Sequence, residues 1–474
     1  MPASRERGET LKSSTSSNSK HTGTAGRAAV GGLVGAVVEW YDFLLYGIIA
    51  GLVFQHAFFP NVSPAMGTLA AFATLGIGFL FRPLGGIVFG HFGDKYGRRR
   101  MLLLTMTIMG AATGLIGLVP TFDSIGWWAP ILLVTFRAVQ GFAVGGEWGG
   151  ATLMAIESAP PARKAFFGSG VQVGFSAGLL CATGAVTLVS TFVGDDQFRE
   201  WGWRIPFIAS TALVLLGLWV RRGVEESPEF LAAKEDASQP SNDQVKRRRR
   251  LPLIEALTSN PAAFLQIIGL RLAELLTTYT ITTFALSYST TNLGYERGFM
   301  LNVSLIVGAL GIIAVPTYAI IADRIGHRPV FLVGAILGVV ATVPFWVALE
   351  HHSRLLVVIF AIILLNGCNS MVVSVQQPLF TSMFGTRFRY SGAGVGYQIA
   401  SVIGGGFTPF IAAALVTLNG GQWYLVALYI TVGCAISALL MWRMQPVDSA
   451  GQPSSHTGAA ANCDTTPAAD APNT

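Results

Sequence analysis

Long apolar segments alternate with short polar connections along most of the chain. A helix needs about 20 predominantly apolar residues to cross roughly 30 Å of hydrocarbon. Twelve segments meet that requirement, at residues 29–54, 66–92, 101–120, 127–153, 165–193, 204–221, 262–290, 299–321, 330–349, 355–384, 391–417 and 423–442. The pattern predicts an all-α integral membrane protein with twelve transmembrane helices.

The polar stretches divide these segments into two groups of six. The longest internal connection, residues 222–261, separates them and is predicted to be a central loop. We therefore expect two six-helix bundles, at 28–221 and 262–442. Residues 1–27 and 443–474 are rich in small and polar residues and are predicted to be disordered tails.

Basic residues predict the orientation. With the N-terminus inside, 24 of the 31 Lys and Arg residues fall in cytoplasmic segments and only four in outside loops. Lys and Arg are enriched in cytoplasmic loops, so we expect both termini and the central loop to be cytoplasmic. The basic run 246–250 in that loop would then lie against anionic membrane lipids.

Composition and spacing exclude several other classes of protein. Hydrophobic residues make up 52% of the chain and charged residues 12%, about half the charge of a soluble domain. The Gly-rich stretches lack the Lys-Ser/Thr of a phosphate-binding loop, and no Cys/His set has metal-ligand spacing. We therefore expect no enzyme, no metal, no cofactor and no nucleic-acid partner.

One short motif occurs in both halves. Asp94-Lys-Tyr-Gly97-Arg98 follows the second span, and Asp323-Arg324-Ile-Gly-His-Arg follows the eighth, 229 residues later. Gly permits the positive φ of a tight turn, and the Arg cluster would stay inside. Two copies at equivalent places indicate an internal duplication.

The motif beginning at Gly90 resembles the signature of the major facilitator superfamily. Further segments resemble its metabolite:proton symporter family: Glu39-Trp40-Tyr41-Asp42-Phe43, Arg82-Pro83-Leu84-Gly85-Gly86, Arg137-Ala138-Val139-Gln140-Gly141, Gly145–Gly150, Trp201–Pro206 and Glu226-Ser227-Pro228. That family includes carriers for shikimate, 2-oxoglutarate, citrate, aromatic acids, and proline or betaine. The resemblance implies two bundles that rock about a midplane site in a bacterial cytoplasmic (inner) membrane.

The resemblance also implies gating residues. In the superfamily, an Asp at the position of Asp94 locks the two halves in the outward-open state. The set that we assign to gating is Arg82, Gly90, Asp94, Gly97, Arg98, Glu147, Asp323 and Arg324.

Ionisable residues at membrane depth are costly and are candidates for function. Glu39, Asp42 and Glu274 fall near the middle of spans 1 and 7, and Arg137 and Arg271 near the middle of spans 4 and 7. If each Arg pairs with one acid, one carboxylate is left over, and a buried carboxylate without a cation takes up a proton. The three acids are therefore the candidates for proton coupling.

Arg keeps its proton and binds carboxylates through two parallel hydrogen bonds, which favours Arg137 or Arg271 as the site of an anionic substrate. Uncharged residues at matching depth extend this candidate substrate-binding set: Tyr46, Gln140, Gln172, Asn369 and Gln398. The alternative is that these groups form ion pairs and hydrogen bonds that hold helices together.

The sequence thus favours a secondary active transporter, functional as a monomer, that imports a small organic acid by proton symport through alternating access. A proton-coupled proline or betaine carrier is the alternative, although residues 443–474 show no heptad pattern like that of osmosensing relatives. A channel and a membrane receptor that binds a metabolite without moving it also remain open.

Overall fold

A computed structural model of the protein describes residues 31–146, 164–222, 261–383 and 389–444. Among these residues, eleven helices are long and apolar enough to cross a membrane, and a pair bent by 60° at Trp203 provides a twelfth span. The predicted all-α membrane fold is confirmed. The two predicted tails, almost all of the central loop, and Glu147 with the end of the fourth predicted span lie outside the described residues.

Helices are numbered here by span. The first half contains α1 (Gly31–Phe58), α2 (Pro64–Tyr96), α3 (Arg98–Leu118), α4 (Trp128–Gly145), α5 (Lys164–Val193) and α6 (Arg204–Arg222). The second half contains α7 (Pro261–Thr291), α8 (Arg297–Ile325), α9 (His327–Glu350), α10 (Arg354–Phe380), α11 (Gly396–Leu418) and α12 (Tyr424–Arg443). A short helix, Asp195–Gly202, precedes α6 and is the other part of the bent pair.

The duplicated motif forms the same turn in both halves. Gly97 and Gly326 have φ values of 102° and 96°, which side-chain-bearing residues rarely adopt. Their backbone N–H groups close the preceding helices by donating to Gly93 and Ala322 at 3.0 and 2.9 Å. The predicted role of glycine in this turn is confirmed. We call the end of the molecule that carries these two turns the turn end.

Glycines bring α2 and α4 into backbone contact within the first half. A Cβ atom on Gly141 would lie 1.8 Å from the carbonyl oxygen of Gly78, and one on Gly145 would lie 1.9 Å from that of Arg82. Small residues allow membrane helices to approach this closely. In lipid, the van der Waals packing that results drives helix association in place of the hydrophobic effect. This backbone contact with α4 holds in place the part of α2 that carries Arg82.

The two halves meet along α5 and α8, along α2 and α11, and where α10 packs on α5. In the middle of the α5–α8 contact, a Cβ on Gly308 would lie 3.1 Å from the backbone nitrogen of Leu180. Toward the end opposite the turns, α1 approaches α7, where the Ser287 hydroxyl donates to the Gly51 carbonyl at 3.0 Å. The site described below lies between these contacts.

Widened π-helical turns interrupt α1, α7, α10 and α11, and a further one, Phe198–Gly202, forms the end of the short helix before α6. Those of α1 (Ala50–Phe54) and α7 (Thr280–Phe284) start 230 residues apart, at 50 and 280, which matches the internal duplication. Those of α10 and α11 are Ile363–Asn369 and Val402–Gly406. Such turns shift the side chains that follow them around the helix and are frequent at functional sites.

Candidate binding site between the two helix bundles

A small cavity lies between the two halves, beside the acidic stretch of α1. Its lining comes from α1, α2 and α5 of the first half and from α7 and α11 of the second: Ala36, Glu39, Trp40, Phe79, Arg82, Val171, Gln172, Arg271, Leu275, Tyr279, Tyr397 and Ser401. The space open to the centre of a water molecule is about 20 Å³, which is room for one or two waters. The two bundles therefore leave little space at this point.

Arg82 and Glu39 face each other at this cavity. The Arg82 Nη2 atom lies 3.7 Å from Glu39 Oε1, and the two side chains are 4% and 13% exposed. The guanidinium carbon also lies 3.9 Å from the ring centre of Phe43 and 4.1 Å from that of Phe79, so aromatic faces offset part of the cost of burying the charge. The ion pair itself is longer than a hydrogen bond.

Three polar atoms of the lining have no hydrogen-bond partner among the described residues. They are Arg82 Nε, Gln172 Nε2 and the Tyr279 hydroxyl oxygen. A buried donor without a partner costs free energy, and native structures leave few of them. Two of these groups are pure donors and one is a hydroxyl, so together they fit a ligand that presents anionic and hydroxyl oxygens.

Arg271, the second guanidinium of the lining, is already saturated. Its Nε and Nη2 atoms donate to the two carboxylate oxygens of Glu274, each at 3.0 Å. Its Nη1 donates to the Tyr397 carbonyl at 2.7 Å and to the Ser401 hydroxyl at 2.6 Å. The side-chain amide of Gln376 donates to Glu274 at 2.7 Å. Arg271 and Glu274 thus form a two-point ion pair inside the second half.

Arg137 is fully buried but does not line the cavity. Its guanidinium lies between the rings of Phe43 and Tyr46, 4.1 Å from each ring centre. It donates through Nη1 to Gln140 at 2.5 Å, while its Nε and Nη2 atoms have no hydrogen-bond partner among the described residues. The ring of Phe43 contacts both Arg137 and Arg82, so the two cations share one aromatic ring.

A polar chain leads from Arg137 to Asp42. Gln140 donates to the Thr113 hydroxyl at 2.8 Å, and that hydroxyl lies 2.8 Å from Asp42 Oδ2. Asp42 is fully buried and is absent from the cavity lining, one helical turn beyond Glu39. Of the two acids in α1, only Glu39 therefore faces the space between the halves.

The other residues of the predicted substrate set are placed as follows. Gln172 lines the cavity, whereas Tyr46 donates to Thr74 at 2.6 Å and Asn369 to Thr278 at 2.5 Å, away from it. Gln398 is buried, and its side-chain oxygen has no partner in the described part of the chain. The structure brings Glu39, Gln172 and Arg271 together at one surface, while the partners of Tyr46, Arg137, Gln140 and Asn369 lie in their own bundles.

The residues assigned to gating separate into two places. Gly90, Asp94, Gly97 and Arg98 lie at or near the end of α2 and the start of α3, and Asp323 and Arg324 lie in the last turn of α8. Arg82 instead lies at the cavity, since α2 is 33 residues long and continues past it for four turns. Asp323 accepts a hydrogen bond from the backbone N–H of Phe166 at 3.1 Å, which joins the two halves at the turn end.

Sequence reasoning did not find several lining residues: Trp40, Phe79, Leu275, Tyr279, Tyr397 and Ser401. Trp40 belongs to a segment that was singled out only for a resemblance, and Arg82 was assigned to gating and not to the substrate site. One signal was available for Arg82, because position 82 is three residues from the midpoint of the predicted span 66–92. Gln376, which holds Glu274, carried no such signal.

Two helical halves that enclose a polar cavity at membrane depth define a membrane transport protein. The sequence profile of the Major Facilitator Superfamily matches residues 57–395 and 280–469. The chain belongs to the Major Facilitator Superfamily, and it is a multi-pass membrane transporter and not an enzyme. The predicted resemblance to this superfamily is confirmed.

Named relatives are transporters as well. The chain is 60% identical to the shikimate transporter of Escherichia coli K12 over 421 residues, 89% of this chain and 94% of that protein. It is 36% identical to the proline/betaine transporter of Escherichia coli K12 over 393 residues, 82% and 77% of the two chains. The partially occluded, inward-open xylose transporter XylE from E. coli shares the fold, with a TM-score of 0.70 at 15% identity over 90% and 98% of the chains.

Proposed function

We propose that the protein imports a small, hydroxylated organic acid together with protons, by alternating access. The cavity between the halves carries this proposal: Arg82, Gln172 and Tyr279 offer buried polar atoms without partners, next to an acid that can hold a proton. The rings of Trp40, Phe79 and Tyr397 supply apolar faces for a cyclic carbon skeleton. The 60% identity to a shikimate transporter supports shikimate as the first compound to test.

Contacts between the halves on both sides of the cavity support alternating access. The halves touch on one side through Asp323 and Phe166 and on the other through Ser287 and Gly51. Each contact must break for the cavity to open on its own side. We propose that Asp94 acts with the turn-end contact, and that the turn end is cytoplasmic, with both termini on that side.

A second candidate is a betaine or proline carrier. A quaternary ammonium group binds well to aromatic rings beside a carboxylate, and Trp40, Tyr397 and Glu39 provide both at the cavity. The 36% identity to a proline/betaine transporter is the other support. We rank this candidate lower because two of the three unfilled polar atoms are donors, which suit a ligand rich in oxygen.

Uptake into proteoliposomes tests the function. The purified chain should accumulate radiolabelled shikimate against its gradient when the outside is acidified, and a protonophore should abolish accumulation. Radiolabelled betaine under the same conditions tests the second candidate. Binding without uptake would indicate a receptor, and uptake that does not saturate would indicate a channel.

The remaining assignments are also proposals. A relative that is 35% identical carries the name inner membrane metabolite transport protein YhjE, which supports a bacterial inner membrane for this chain. We propose that the protein acts as a monomer, because the cavity is lined from both halves of one chain. We further propose that residues 246–250 contact anionic lipid and that the bundles span residues 28–221 and 262–442.

A further inference from the structure

The buried charges at the level of the cavity are balanced. The sequence suggested three acids against two guanidiniums, but Arg82 joins Arg137 and Arg271 at this depth. Three cations therefore face three carboxylates, those of Glu39, Asp42 and Glu274, among the described residues. The count thus leaves no spare acid in the described part of the chain, which favours a carboxylate that exchanges its cation for a proton.

The three acids are held unequally. Glu274 receives a two-point ion pair from Arg271 and a further hydrogen bond from Gln376. Asp42 contacts Thr113 within the first half and does not reach the cavity. Glu39 lies 3.7 Å from Arg82, beyond hydrogen-bond distance, and both residues line the space between the halves.

We propose that the carboxylate of the substrate takes the place of Glu39 at Arg82 and that Glu39 then takes up the transported proton. This inference rests on the proposed function and assigns the coupling to one pair of residues. The exchange transfers one proton to a Glu39 oxygen for each carboxylate that binds, and no other bond changes. The site keeps the same net charge empty and loaded, so no uncompensated charge is buried when the halves close.

The surroundings of Glu39 favour this pair. Charged or titratable groups face it from α2 (Arg82), from α7 (Arg271 and Tyr279) and from α11 (Tyr397), while α5 contributes the uncharged Gln172. Asp42 follows it on α1. Arg271 already gives three of its nitrogen atoms to other partners, which leaves Arg82 as the guanidinium that can change partners. Its Nε, without a partner among the described residues, is available to the incoming carboxylate.

The test is proton uptake during binding, measured on the full-length purified protein. Shikimate is titrated by isothermal calorimetry at about pH 8 in two buffers of different ionisation enthalpy. Its own carboxyl is ionised there, since carboxylic acids titrate near pH 4. The wild type should take up about one proton per shikimate, and its affinity should rise at least about 10-fold as the pH falls to about 5.5.

Glu39→Gln imitates the protonated acid. It should bind shikimate at every pH with an affinity within a few-fold of the wild-type value at low pH, and take up no proton. Counterflow of labelled shikimate should continue in this variant, while accumulation driven by the proton gradient should be lost. Asp42→Asn, three residues further on the same helix, should keep the proton uptake if it binds shikimate.

A second variant tests the same pair of residues if Glu39→Gln does not fold. Arg82→Lys keeps the charge and loses the planar fork, so it should weaken shikimate binding roughly 10- to 100-fold. Binding of shikimate methyl ester, which has no anionic carboxylate, should stay within a few-fold of wild type.

Each outcome is decisive. Proton uptake that persists in Glu39→Gln, or that disappears in Asp42→Asn with binding intact, overturns the inference and leaves the proposed function standing. Wild-type shikimate affinity in Arg82→Lys does the same. A wild-type protein that neither binds nor transports any carboxylate overturns the proposed function, and the inference with it.

Discussion

The carboxylate of Asp323, near the end of α8, accepts a hydrogen bond from the backbone amide of Phe166, at the start of α5. The start of α8 is also joined to the short helix that directly follows the other end of α5. There, Arg297 Nη1 lies 3.3 Å from Asp195 Oδ1, and the guanidinium lies 5.1 Å from the centre of the Phe198 ring. We call these the turn-end contact and the opposite-end contact. Helix α8 is therefore connected to the first half on both sides of the cavity.

Loss of the turn-end contact should favour the form that is open at the turn end. In Asp323→Ala, the acceptor and the negative charge near the first turn of α5 are both removed, at a cost of about 1–3 kcal/mol to the closed form. Distances between spin labels on the two halves should show a larger open population at that end, with shikimate affinity within a few-fold of wild type. Ile325, two residues further on and 61% exposed, offers a control, and Ile325→Ala should leave the distances unchanged. A wild-type distance distribution in Asp323→Ala would contradict the assignment.

The opposite-end contact should act in the other direction. Arg297→Gln removes a cation that is 6% exposed, from a pair whose acid is 67% exposed, so the loss should be smaller, about 0.5–2 kcal/mol. The same labels should show the opposite end opening more often. Arg354→Gln is the matched control, because Arg354 and Glu296 form a largely exposed pair 4.0 Å apart on the same side. Equal shifts in both variants would mean that surface charge, and not this contact, sets the equilibrium.

Arg137 should matter for stability and coupling more than for affinity. In Arg137→Lys, the charge remains, but the planar group between Phe43 and Tyr46 and the hydrogen bond to Gln140 are lost. We expect the purified protein to melt at a lower temperature, with a loss of about 1–3 kcal/mol. Shikimate affinity should stay within a few-fold of wild type, because this guanidinium lies outside the cavity lining. A large loss of affinity at unchanged stability would show that Arg137 contacts the substrate.

The α2–α4 contact should not tolerate a single added methyl group. Gly141→Ala would place a Cβ atom 1.8 Å from the Gly78 carbonyl oxygen, so the helices must separate and Arg82 must move with α2. We expect a melting temperature well below that of wild type and reduced uptake, since overpacking typically lowers the free energy of unfolding by about 1–3 kcal/mol. Gly170→Ala, in α5, meets nothing within 4 Å and serves as the control. Equal melting curves for the two variants would refute the packing argument.

Much of the fold could be predicted from the sequence because it depends on one-dimensional properties. The length of each apolar segment determines whether it spans the membrane, and a glycine three residues after Asp94 or Asp323 allows the turn with positive φ. The predicted limits of the spans agree with the observed helices to within a few residues at most ends. The bend before α6 was not predicted, since polar and aromatic residues precede the apolar segment there.

The site depended on information that one sequence does not carry. Depth along the helix was enough to predict that Glu39 and Arg271 belong to the site, and both line the cavity. Asp42 and Arg137 have equivalent depth but face into their own bundle, because the rotation of each helix about its axis is set by its neighbours. Tyr279 and Tyr397 line the cavity only because α7 and α11 pack against the first half, and no local sequence pattern predicts that contact.

The pairing of α5 with α8 has a consequence for genetics. Its centre is packed backbone against backbone at Gly308, while each end is held by a polar contact that opposes the other. A mutation that removes one contact shifts the carrier toward the conformation open at that end. A second mutation that removes the other contact shifts the equilibrium back without restoring the lost hydrogen bond. Selection for regained growth on the transported acid, starting from Asp323→Ala, should therefore yield suppressors around Asp195 and Arg297. These lie a full membrane thickness from the original change and touch neither the substrate nor the proton.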